Sequence, residues 1–115
     1  MTTTTDTLLN QIIDKLQGFK AVDVKAISVS DLCDFADYFV FVTGTSNTHI
    51  QAMAEQLLLD LKQHGVRPLS VEGMQQAEWC LIDLGDIIVH LFNAEKREYY
   101  GLEKLWQDGQ VVFPN

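Results

Sequence analysis

The chain has 115 residues, 47% apolar and 21% charged, with eight Lys and Arg against sixteen Asp and Glu, for a formal net charge of −8. That length is one ordinary domain with a core of its own, so residues 1–115 read as a single unit. Nothing approaches the ~18 consecutive apolar residues of a membrane span, no basic-then-apolar leader opens the chain, and so acidic a balance argues against gripping a phosphate backbone.

The Thr-rich start, residues 1–5, has no periodic pattern and reads as frayed. Leu8, Leu9, Ile12, Ile13 and Leu16 then recur at helical spacing, with Thr5 or Asp6 as a cap and Gly18 as a stop. Val22 to Val29 is rich in β-branched residues and predicts a strand. Asp37 to Thr43 is nearly all apolar or aromatic, which predicts a central strand buried on both faces.

Gly44-Thr45-Ser46-Asn47-Thr48 supplies turn and capping residues. Ile50, Met53, Leu57, Leu58 and Leu61 follow as one stripe of a long amphipathic helix. Gly65 closes it and Pro68 bars its continuation. Leu69 to Glu72 predicts a short strand. Trp79–Leu84 and Ile87–Phe92 are β-type runs separated by Gly85-Asp86, the pattern of a two-residue hairpin with glycine at the first turn position. The tail from Glu95 to Trp106 is helical in composition, weakened by Gly101 in its middle, and 107–115 carries no recognisable motif.

The expected fold class is α/β: a single domain with a mixed five-stranded sheet and flanking helices. Its parallel pair comes from the strand–helix–strand between Asp37 and Glu72.

Few residues point to chemistry. Gly44-Thr45-Ser46 sits where phosphate loops sit, yet lacks the lysine and outer glycine of GxxxxGK[ST] and is not GxGxxG. It either caps the helix or cradles an anion. His49 reads as a helix-surface residue, and His64 as a complement to the helix C-terminus. Asp83 falls on a strand and Asp86 in a turn, so they need not converge on a metal. Cys33 and Cys80 lie far apart, outside any CxxC, and read as buried free thiols. No catalytic residue, metal or cofactor is expected.

The hairpin is more informative. If Leu84 pairs with Ile87, then Leu81 faces His90 and Trp79 faces Phe92. Alternation puts Trp79, Leu81, Asp83, Ile88, His90 and Phe92 on one face, with Asp83 diagonal to His90 and within hydrogen-bonding reach. Cys80, Ile82, Leu84, Val89 and Leu91 fill the other. Both faces are substantially apolar, so one covers the helices and the other needs a cover of its own. That cover is either the tail helix or another molecule. The acidic charge is compatible with a basic protein partner, though from charge by itself solubility is the favoured explanation.

Five blocks in order carry a family likeness: Ala36-Asp37-Tyr38-Phe39-Val40; Thr43-Gly44-Thr45-Ser46 with His49; Val71-Glu72-Gly73; Trp79 through His90; and Arg97 through Trp106. The chain resembles the Iojap/RsfS ribosomal silencing factors from its first helix to Trp106. The resemblance implies a topology similar to nucleotidyltransferases without that activity, in a cytoplasmic protein that is a homodimer when free. It further implies docking on the large ribosomal subunit through the basic ribosomal protein number fourteen. Joining of the small subunit would be blocked sterically, lowering translation when nutrients are scarce. The family's contact residues correspond to Trp79 and Leu84; charge adds Asp83 and Asp86 as acidic partners, with His90 beside them. Alternation leaves Trp79 and Leu84 on opposite faces unless twist or a bulge turns Leu84. The competing readings are a nucleotide-binding enzyme at Gly44–Ser46 and a generic dimerisation module.

Overall fold

A computed structural model describes residues 5–114. The expected fraying at residues 1–5 falls outside the described residues except at Thr5, which opens the first helix. In chain order the elements are α1 (Thr5–Gly18), β1 (Asp23–Ser28), β2 (Tyr38–Thr43), α2 (Asn47–Gln63), β3 (Ser70–Glu72), β4 (Trp79–Asp83) and β5 (Ile87–Phe92). The tail adds α3 (Ala94–Tyr100), α4 (Leu102–Leu105) and β6 (Gln110–Phe113).

The strands form one mixed sheet in the order β3-β4-β5-β2-β1-β6. It has six strands rather than five, because Gln110–Phe113 in the tail pairs antiparallel with β1 across an irregularity between Ala26 and Ile27. The parallel neighbour of β2 is β5, from Tyr38↔Ile87 to Thr43↔Phe92, and not β3. The reason is burial. The Ile87–Phe92 run is apolar on both faces and claims the centre, whereas Ser70-Val71-Glu72 is polar enough for the edge. As expected, Phe39 through Thr43 are all buried.

Period-2 alternation divides the core in two. On one face Val40, Val42, Cys80, Ile82, Val89 and Leu91 pack against Leu9, Ile12, Leu16 of α1 and Ile50, Met53, Leu57 of α2. The other face carries Ile27, Phe39, Phe41 and Phe92, with Trp79, Ile88, Leu102 and Trp106 half-buried against them. The tail helix breaks into α3 and α4 at Gly101, which adopts left-handed backbone with φ 57° and caps α3. Its break lets Leu102 and Trp106 drop onto the aromatic face instead of continuing along α3.

Candidate docking face

The hairpin has the expected register: Trp79↔Phe92, Leu81↔His90 and Asp83↔Ile88. Gly85 takes φ +91°, the sign its turn position demands. Trp79 and His90 therefore share the aromatic face as a diagonal pair. The loop that delivers Trp79 is held tightly at Gly73, with φ +82°, where an added Cβ would lie 2.0 Å from the Trp79 carbonyl oxygen. Further along, buried Ala77 takes φ 54° and donates its N–H to the Gly73 carbonyl at 2.9 Å.

His90 lies among rings. Phe41 stacks on it at 5.4 Å between centroids, Phe39 meets it edge-on at 5.8 Å, and Trp79 lies tilted at 5.9 Å. The Trp79 indole N–H donates to Nδ1 of His90 at 3.2 Å. An indole can only donate, so Nδ1 is the acceptor and the neutral ring carries its proton on Nε2. Burial among these rings pulls His90 down to about 4, keeping it uncharged at neutral pH. Only 7% of the residue is exposed. No buried side-chain nitrogen or oxygen lacks a partner among the described residues. Since Nε2 makes no hydrogen bond there, its N–H is the edge that reaches the surface.

The tail half-covers Trp79. Tyr100 packs on the indole at 4.5 Å while remaining 43% exposed. Arg97 fixes that cover to the sheet: its guanidinium donates to the Thr43 hydroxyl at 2.7 Å, the Asp23 carbonyl at 3.0 Å and Glu103, and lies over the Phe92 ring. The Arg97 bond in turn holds the Glu103 carboxyl below its ordinary range. Of the two covers expected for the second apolar face, the tail is present in part. A tail segment lies on it, and an aromatic surface remains open.

The other predicted residues are dispersed. Leu84 packs half-buried against the helix-side core, and its N–H bonds the Ile87 carbonyl at 2.9 Å without a bulge, so it does not join Trp79. Asp83 does not bond His90 as expected; its carboxylate accepts the Gly85 N–H at 2.9 Å. The Asp86 carboxylate accepts from the Thr5 hydroxyl at 3.4 Å, towards α1. Phe39, Phe41, Tyr100 and Trp106 are ring-bearing residues that the hairpin pattern could not reveal, because they come from other elements.

The Gly44–Ser46 turn is internally occupied. Gly44 N–H donates to Phe92, Ser46 caps the His49 N–H, and Thr45 N–H donates to His49 Nδ1 at 2.9 Å. His49 is thus no loose helix-surface residue, for its Nε2 also donates to the Phe19 carbonyl at 2.8 Å and ties the turn to the end of α1. Capping is the role these contacts support. Cys33 and Cys80 are free thiols, Cys80 fully buried and Cys33 partly so.

The profile of the family described as "Ribosomal silencing factor during starvation" matches residues 2–114. The chain belongs to that family. Ribosomal silencing factor RsfS of Halalkalibacterium halodurans is 38% identical over 105 residues, 91% of this chain and 90% of that protein. The crystal structure of a Chromobacterium violaceum protein superposes with a TM-score of 0.88 at 31% identity, covering 90% of this chain and 87% of that one. A more distant relative, mouse "Mitochondrial assembly of ribosomal large subunit protein 1", is 34% identical over 85% of this chain and 44% of its own length. No helix among the described residues is long and apolar enough to cross a membrane.

Proposed function

We propose that this silencing factor binds the large ribosomal subunit in the cytoplasm through its aromatic face. There it occupies ground on the basic ribosomal protein number fourteen that the small subunit needs. Joining fails sterically, and translation falls when nutrients are limiting. The observation that carries the reading is half-buried Trp79, a rigid indole hydrogen-bonded to a buried, neutral imidazole whose Nε2–H lies at the surface edge. Aromatic anchors set in a polar surround are the side chains that dominate protein interfaces. A −8 domain is repelled by ribosomal phosphate, which favours a protein patch over RNA.

Trp79 is the anchor and His90 the central donor in this reading. Leu84, Asp83 and Asp86 lie round the turn at the end of β4, and a partner that covers the turn as well as the face reaches them. The free chain pairs with itself as a homodimer, which light scattering measures directly.

The test is sedimentation. Isolated large subunits are incubated with the chain, small subunits are added, and the mixture is resolved on a gradient. The chain should travel with large subunits and lower the joined fraction. A chain that stays at the top of the gradient, or that binds while whole ribosomes still form, overturns the reading.

A further inference from the structure

We propose that the docking face has a second anchor on the loop between β1 and β2, where Phe35 and Leu32, flanked by Asp31 and Asp34, receive a cationic protein surface. This rests on the function proposed above and extends the contact from the hairpin across the width of the sheet.

Phe35 is 59% exposed and Leu32 42%, yet their loop is firmly held. Val29 N–H donates to Asp37 at 2.8 Å, and Leu32 and Cys33 N–H both donate back to Val29. Val29 and Ala36 are buried in the aromatic-side core, so the loop stands on the same side of the sheet as Trp79. Apolar side chains presented on a pre-ordered loop lose little freedom when a partner covers them. Ring contacts join the two anchors beneath the surface, through buried Phe39 and His90. Phe35 meets Phe39 and Trp106, each at 6.0 Å; Phe39 meets His90, and His90 meets Trp79.

Charge identifies the occupant. Asp31 and Asp34 are exposed and make no ion pair or hydrogen bond among the described residues, whereas Asp83 accepts from the Gly85 N–H and Asp86 from the Thr5 hydroxyl. Two uncompensated carboxylates beside an open phenyl ring suit a lysine- or arginine-rich protein surface, which they also steer during approach. Phosphate would be repelled. A second copy would bring another −8 surface against the same acids.

The experiment measures equilibrium and association-rate binding to isolated large subunits over a range of salt. It compares the unaltered chain with Phe35→Ala, the double change Asp31→Asn with Asp34→Asn, Trp79→Ala, and Leu59→Ala on the helix side as a control. Phe35→Ala should weaken binding by about tenfold or more, as loss of an aromatic anchor does. The double change should slow association and flatten its salt dependence, with Leu59→Ala unaffected. If Phe35→Ala and the double change both bind like the unaltered chain while Trp79→Ala fails, the second anchor is wrong and the function above stands. If Phe35→Ala weakens binding and Trp79→Ala does not, the second anchor holds and Trp79 loses its role. An unaltered chain that ignores large subunits removes both, and equal binding to protein-free ribosomal RNA removes the cationic-protein occupant.

Discussion

Trp79 and His90 stand diagonally across β4 and β5, and the indole N–H of the first donates to Nδ1 of the second at 3.2 Å. One bond thereby does two things. It satisfies the indole where the ring is half-buried, and it selects the imidazole tautomer that carries its proton on Nε2. A protonated His90 could no longer accept that bond.

The first prediction concerns acid. His90 has its proton affinity lowered from 6.5 to about 4 by burial. An unfolded chain takes up a proton in that interval which the folded chain refuses. The stability tied to neutral His90 is therefore present above pH 6.5 and lost as pH falls towards 4, by roughly 3 kcal/mol at most. Unfolding of the chain and of His90→Gln should diverge across that window and run parallel above it. Nitrogen NMR should report the Nε2–H form at neutral pH. A charged imidazolium at pH 6 would refute the account.

The second separates ring from donor at Trp79. Trp79→Ala should weaken attachment to large subunits by roughly 2–4 kcal/mol if the indole is the anchor. Trp79→Phe keeps an aromatic surface but leaves His90 Nδ1 without its donor, which should lower folding stability by roughly 1–3 kcal/mol. Sedimentation and denaturant titration read the two effects apart. Unchanged binding by a folded Trp79→Ala would take Trp79 out of the face.

These residues also mark how far the sequence could be read. The hairpin register was legible because a two-residue turn leaves one pairing, and alternation then sorts every side chain to a face. Leu84 follows that alternation strictly, so the tension between it and Trp79 is real geometry, undisturbed by a bulge. The Asp83–His90 bond failed for a local reason. Asp83 is two residues before Gly85 and bonds its N–H, a contact of nearer neighbours. What could not be read needed partners distant in sequence. Val111 to Phe113 is too short to show a period, and only β1 makes it a strand. Tyr100 becomes part of the face only because Gly101 breaks the tail and Arg97 fastens it. The choice of β5 over β3 as the neighbour of β2 did leave a signal, in the run Ile87–Phe92, apolar but for His90, against Ser70-Val71-Glu72.

The third prediction tests that fastening. Arg97 has its side chain 9% exposed, and its guanidinium serves β1, β2 and α4 at once. Arg97→Met keeps the stem over Phe92 but strips those donors. Glu103 retains water and Lys25 as partners, which tempers the loss, so the expected cost is roughly 2–4 kcal/mol. Release of α3 should also shift Trp79 fluorescence towards that of a wetter indole as Tyr100 departs. A melting point and an emission spectrum equal to those of the unaltered chain would show that Arg97 fastens nothing.

The last prediction contrasts two glycines with the same backbone sign. Gly65, at φ +75°, ends the long helix and has nothing within 4 Å of where a Cβ would stand. Gly65→Ala then meets only the intrinsic penalty of left-handed backbone, about 1 kcal/mol. Gly73, at φ +82°, would set its Cβ 2.0 Å from the Trp79 carbonyl oxygen, a backbone atom that cannot swing aside. Gly73→Ala must push the start of β4 away from β3, so its cost should exceed about 4 kcal/mol, in the range reserved for disrupted structure. Because the displaced segment carries Trp79, any folded fraction of this variant should also bind large subunits poorly, while Gly65→Ala binds normally. Denaturant unfolding of the two variants side by side decides the matter: equal, small losses would mean that the close approach at Gly73 does not set the position of Trp79.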